Sequence, residues 1–135
     1  MPMDVAIVDP EKELWSGEAD FVVARSEDGE IGILPGHAPF LGVLRHARVK
    51  VEAGSDVIIF AVHGGFIEVK DNRVSVLARS AEVASDIDVA RARNQAERAR
   101  ERLQQEAEDE EARLALWRAE ARMQAADEAG LLADS

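Results

Sequence analysis

Through the first 85 residues, apolar and polar positions alternate in short segments separated by polar turns. Met3 to Val8, Asp20 to Ala24 and Glu30 to Leu34 are rich in Val, Ile and Phe, a pattern that predicts half-buried strands. Glu27-Asp28-Gly29 joins the second and third, with glycine supplying the positive φ of a tight hairpin turn. Arg48 to Glu52 puts charges and valines on opposite faces, Val57 to Val62 reads as a buried central strand, and Ala53-Gly54-Ser55-Asp56 connects them. Phe66 to Lys70 and Arg73 to Leu77 alternate around Asp71-Asn72, a pair suited to a two-residue turn. Adjacent hairpins with one oily face per strand predict an antiparallel β-sandwich or flattened barrel, because each sheet must bury that face against another. Leu34-Pro35-Gly36-His37-Ala38-Pro39-Phe40 breaks the rhythm: its two prolines cannot donate ladder hydrogen bonds, so an ordered corner loop is expected there.

Beyond Ser85 the period changes. Val89, Ala92, Ala96, Ala99 and Leu103 recur at spacings of three and four, and so do Ala112, Leu116, Ala119, Met123 and Ala126. Each set is one narrow apolar stripe on a helix. Ser85 or Asp86 stands where a helix N-cap is needed, and neither Gly nor Pro follows before Ala129. The crowded acids of Glu106-Ala107-Glu108-Asp109-Glu110-Glu111 weaken local helix and mark the expected reversal. Nothing rigid enforces that reversal, so a continuous rod of about 43 residues, about 65 Å long, is a second state beside the hairpin. The fold expected is α+β: a sandwich over residues 1–85 and a helical hairpin over residues 86–135. Alanine stripes bury little area, so the pattern suits a permanent hairpin and a pair of helices that docks and undocks.

Composition sharpens the boundary. Eight of the nine glycines, all four prolines and all four phenylalanines precede Asp86, after which Ala, Arg, Glu, Leu and Gln dominate. The formal charge of -11 is shared by both parts, which argues against a nucleic-acid partner. With no cysteine there is no disulfide framework, thiolate metal site or thiol nucleophile. Val57 to Val62 is the longest apolar run, far below the roughly 20 residues of a membrane-spanning helix, and Met1-Pro2-Met3-Asp4 lacks the basic start of a secretory signal. A soluble, cytoplasmic-type protein is expected.

The chemistry of the side chains points away from catalysis. His37, His46 and His63 show no metal-ligand spacing, and no nucleophile elbow or phosphate loop is present. His63-Gly64-Gly65 reads instead as a bulge or a close strand approach. Arg91, Arg98 and Arg102 share one helical face, which serves either as a solvated surface with intrahelical pairs or as a surface for an acidic partner or phosphate oxygens.

Three motifs go further. Gly29-Glu30-Ile31-Gly32-Ile33-Leu34-Pro35-Gly36-His37-Ala38-Pro39, then His63-Gly64-Gly65-Phe66-Ile67-Glu68-Val69, then Ile87-Asp88-Val89-Ala90-Arg91-Ala92 together resemble the ε subunit of F-type ATP synthases in order and spacing. The resemblance implies a non-catalytic rotor subunit in the central stalk, held by the γ subunit and the membrane c-ring, and peripheral to the cytoplasmic face of a bacterial inner membrane. It implies that Glu30 looks towards the c-ring and that His37 lies near γ. It also implies that the helices can extend into the α and β subunits of the catalytic head and inhibit ATP hydrolysis. Ile87, Asp88, Arg91 and Ala92 match a pattern through which some relatives bind ATP as a regulatory ligand; Glu82 and Arg98 fit associated positions, and Arg122 is the nearest match to a further arginine. No other cofactor is implied.

Overall fold

The computed structural model describes residues 2–130; Met1 and residues 131–135, the last stretch of the expected second domain, lie outside the described residues. Its strands are β1 (Met3–Val8), β2 (Glu13–Ala19), β3 (Phe21–Ser26), β4 (Gly29–Ile33), β5 (Phe40–Ala53), β6 (Asp56–Lys70), β7 (Arg73–Ala78) and β8 (Ala81–Val83). A single 3-10 turn (Ala84–Asp86) leads to two helices, α1 (Val89–Gln105) and α2 (Glu110–Glu128). The α+β expectation holds, with a β-sandwich that does not close into a barrel. The strands run in the order β2-β1-β7-β6-β5-β3-β4, and β8 pairs with β6. All pairings are antiparallel except β1 with β7, which is parallel.

The long β5–β6 hairpin builds both layers. Its register runs unshifted from Leu44 opposite Gly65 to His46 opposite His63, and the kink of β6 falls there, at Gly64 and Gly65, both with positive φ. Before this kink β6 pairs with β8, and after it with β7. Gly65 makes the kink with φ +133, and a Cβ there would lie 2.2 Å from the Leu77 carbonyl oxygen. No side chain fits, so the His63-Gly64-Gly65 run is a close approach within one strand. The sequence pattern had separated this strand into two, Val57 to Val62 and Phe66 to Lys70.

The turns follow their residues. Asp71 and Asn72 take φ of 53° and 60°, the double left-handed geometry of a tight hairpin. Asn72 then ties three segments together: its side chain donates to the Pro2 carbonyl and accepts from the Gly36 N–H, both at 3.0 Å. The Leu34 to Phe40 loop is ordered by that contact and by the His37 N–H donating to the Leu34 carbonyl.

Met3, Ile7, Val22, Ile33, Val51, Phe60, Ile67 and Val76 are buried between the layers. Phe60 and Val62 point into this core, while Ile59 and Ala61 on the opposite face join Ala84, Ile87 and Ala125 in a second cluster. Coverage on both faces is why this stretch is continuously apolar.

α2 lies on the sheet, against β5 and β6; α1 packs on α2 and touches the sheet-side apolar cluster through Val89. Ala112, Ala119 and Ala126 are buried on one side of α2, and Ala121 and Ala125 are buried roughly opposite at 100° per residue. The second helix therefore has two alanine faces, where its sequence suggested one stripe. The α1 cap also differs from expectation. Ser85 and Asp86 fall in the preceding 3-10 turn, and Asp88 caps the helix by accepting from the Arg91 N–H at 3.0 Å. The reversal falls within Glu106 to Glu111 as expected. Asp109 holds it, accepting from the Ala112 N–H at 3.0 Å and from Arg102 at 2.9 Å.

Candidate functional site

Where β8, the 3-10 turn, α1 and α2 converge, they enclose a cleft of about 280 Å³ lined by Glu82, Asp86, Asp88, Arg91, Ala92, Gln95 and Arg122. Glu82 reaches it because β8 pairs with the outer edge of β6, and Arg122 reaches it from the middle of α2. The Arg122 Nε donates to Glu82 Oε1 at 2.8 Å and its Nη1 donates to Gln95 Oε1 at 3.3 Å. One side chain thus clamps α2 to both the sheet and α1. The nearby His63 ring and the Arg122 guanidinium hold the Glu82 carboxyl below the usual carboxylate range. The other Glu82 oxygen stands 3.9 Å from His63 Nε2.

Five of the residues matched to an ATP-binding pattern come together here: Glu82, Asp88, Arg91, Ala92 and Arg122. Ile87 is near them in sequence but turns into the apolar cluster beneath α2. Arg98 lies in a neighbouring groove of about 190 Å³ with Ala99, Arg102, Ala115 and Arg118, which shares only Gln95 and Arg122 with the first. Gln95 was not anticipated, although it stands one helical turn after Arg91 and so on the same face. The Arg91 guanidinium is exposed and makes no ion pair among the described residues. It is the donor fork most available to a phosphate, whereas Arg122 would first have to share Glu82. Among the described residues, no group of three or more His, Cys, Asp or Glu could hold a metal ion.

Glu30 lies in β4, where its carboxylate accepts from Arg48 at 2.6 Å. That bond and the guanidinium charge lower the Glu30 pKa. Arg48 also pairs with Glu128 in the last turn of α2, so Glu30 is joined to the docking of the helices. His37 has other neighbours: Nδ1 is 2.6 Å from the Ala38 carbonyl oxygen, and the ring meets Phe40 edge-on at 6.4 Å. On the far layer Val43, Phe66 and Leu77 are register neighbours across β5, β6 and β7, and all three are exposed beside Leu41. Three large apolar side chains in one exposed row mark a surface suited to a protein partner. Among the described residues no helix is long and apolar enough to cross a membrane.

Residues 2–84 match the family described as ATP synthase, Delta/Epsilon chain, beta-sandwich domain. The ATP synthase epsilon chain of Streptomyces coelicolor is 46% identical over 99 residues, covering 73% of this chain and 80% of the relative. That of Desulforamulus reducens is 45% identical over 124 residues, covering 90% and 94%. The fold resembles a chain in the Euglena gracilis mitochondrial ATP synthase OSCP/F1/c-ring structure, with a TM-score of 0.80 and 23% identity over 96% of this chain and 81% of that one. A central stalk/c-ring structure of the Tetrahymena thermophila mitochondrial ATP synthase matches with a TM-score of 0.57 and 20% identity, over 65% and 71%. The exposed apolar row, the two-layer sandwich and the docked hairpin are thus features of a protein that belongs to the ATP synthase epsilon chain family.

Proposed function

We propose that the protein is a non-catalytic central-stalk subunit of an F-type ATP synthase, coupling proton-driven c-ring rotation to ATP synthesis in the catalytic head. The match of its sandwich over residues 2–84 carries this reading. The sandwich is the anchoring part, with the Val43, Phe66 and Leu77 row as its apolar contact with γ. Glu30 faces the polar loops of the c-ring, and His37 the γ side. The complex places the subunit at the cytoplasmic face of a bacterial inner membrane. Copurification of the full chain with γ tests the assignment. Phe66→Glu buries a charge in the proposed contact and is expected to abolish copurification; undiminished recovery would put the γ surface elsewhere.

The hairpin is the regulatory part: undocked, it extends into the α and β subunits of the head and inhibits ATP hydrolysis. Small alanine contacts and ion pairs with the sheet support this reading, since both can be released at modest cost. A second reading rests on the cleft. ATP, held by Arg91 with Arg122 and the Asp88 helix start, locks the hairpin shut. Calorimetric titration of ATP into the wild type and Arg91→Ala decides this, and equal heats would remove ATP from the account. Arg98→Ala adds a further check, because its separate groove predicts a smaller effect than Arg91→Ala.

A further inference from the structure

His46 and His63 face one another across the β5–β6 ladder with ring centroids 5.9 Å apart, directly beneath α2. The Trp117 ring of α2 lies 6.1 Å from His46 on the other side. His63 is 3% exposed, and both of its ring nitrogens are buried without a hydrogen-bond partner; Nδ1 of His46 is in the same condition. Buried polar atoms left unpaired are costly, and two imidazoles stacked against each other are an uneconomical way to fill a sheet surface. The arrangement penalises charge at His46.

We infer that His46, set against His63 and Trp117, is a proton-operated release for the second helix: with a neutral ring the sheet accepts α2, and protonation of His46 expels it. This rests on the reading that the helices undock, and adds the signal to which they respond. The surrounding charges set its direction. His46 faces His63 from β6, Arg118 from α2 and Arg79 from the segment after β7, with no carboxylate as close a partner. Arg25, Glu27 and Arg45 line the open side of the cleft beside it, again with a cationic excess. An imidazolium at His46 therefore meets repulsion until α2 carries Arg118 and Trp117 away. On the far side of the pair, Glu82 stands 3.9 Å from His63 Nε2, and this carboxylate is already held by Arg122.

Burial, then the neighbouring His63, Arg118 and Arg79, lower the His46 pKa while α2 is docked. Released, the ring loses the cover of α2 and the Arg118 charge, and its pKa rises towards the ordinary value of about 6.5. Above that pH both states are neutral and docking carries no penalty. As pH falls through it the released state takes up the proton first, so release grows until the docked pKa is passed. Each unit of difference between the two values shifts the released-to-docked ratio about tenfold.

The chain has no cysteine, so spin labels at Ser55→Cys and Asp127→Cys report the distance between the β5–β6 turn and the end of α2 in the full protein. The expected result is a long-distance population that grows severalfold between pH 8 and pH 5.5 and becomes flat in His46→Gln. An identical pH response in that variant would overturn the inference. A control separates the two ideas: Ala125→Glu buries a charge in the α2–sheet contact and should release the helix at pH 8. If it does, and the parent stays docked down to pH 5.5, the proton trigger is wrong and the mobile hairpin stands. If Ala125→Glu also stays docked, both fail.

Discussion

Arg48 of β5 bonds Glu128 in the last turn of α2 while its other arm holds Glu30 of β4. A carboxylate in the last helical turn opposes the helix dipole, so Glu128 is favourable there only because Arg48 and, at 3.6 Å, Lys50 face it from the sheet. Arg48→Met keeps the aliphatic stem and removes both pairings. It is expected to weaken docking by about 1 kcal/mol, as a largely surface ion pair does, which speeds amide exchange in the last turn of α2 about fivefold. Exchange confined to wild-type rates would mean that the pair contributes nothing. High salt should reproduce part of the effect in the wild type and less in the variant, where the Lys50–Glu128 pair remains.

Asp109 separates two helices that could otherwise be one. Its carboxylate caps α2 and binds Arg102, and these contacts lower its pKa, the Ala112 N–H being the largest cause. Asp109→Ala removes the cap while raising helix propensity at the turn, so it should move the population towards a continuous rod. Probes at the exposed Asn94 and Glu120 should report a longer distance, and an unchanged distribution would show that packing alone sets the reversal.

Gly65→Ala should be among the most damaging single changes in the chain. The new methyl would meet the Leu77 carbonyl oxygen at a φ that side chains avoid. A loss of about 3 kcal/mol or more is expected. Gly54→Ala, also at positive φ but with open space around it, should cost markedly less. Urea melts of the two variants test the contrast; similar midpoints would mean that backbone strain outweighs the collision.

Glu82 gives the fold an acid limit. Its pKa is lowered by His63 and then by Arg122, so its contribution is fully present above an ordinary carboxylate value of about 4.3 and disappears as pH falls through the lower folded value. Contact between α2 and β8 should weaken over that acid window in the wild type. Glu82→Gln should begin weaker at neutral pH and change less on acidification. Parallel acid titrations of the two would refute the role.

Much of the sandwich is legible in the sequence because strands with one oily face and turns with Gly or Asn leave period-two marks, as in β1 and around Asp71-Asn72. β2 left almost none: it is an edge strand whose only buried residue is Ala19, so no apolar stripe was required. In β5 the irregular pairing with β3 between Leu44 and Lys50 breaks the alternation, and in β6 a pair of glycines looks like an end although the strand passes through it. The second face of α2 was hidden for another reason. Ala121 and Ala125 differ too little in hydropathy from their surroundings to declare a side. In the cleft, Asp88 and Arg91 are close in sequence and could be paired on paper, but Glu82 with Arg122 and His46 with His63 meet only through the fold.

The alanine faces of the hairpin have a consequence for the chain outside the docked state. Where other proteins cover a mobile element with leucine or phenylalanine, Ala92, Ala96, Ala99, Ala112, Ala119 and Ala125 meet their neighbours with single methyl groups. Helices released from the sheet would therefore present water mostly with narrow, scattered apolar atoms between rows of charge, Trp117 being the large exception on the docked face. Such a segment can be set free repeatedly without inviting self-association. The same economy that makes docking weak makes departure safe.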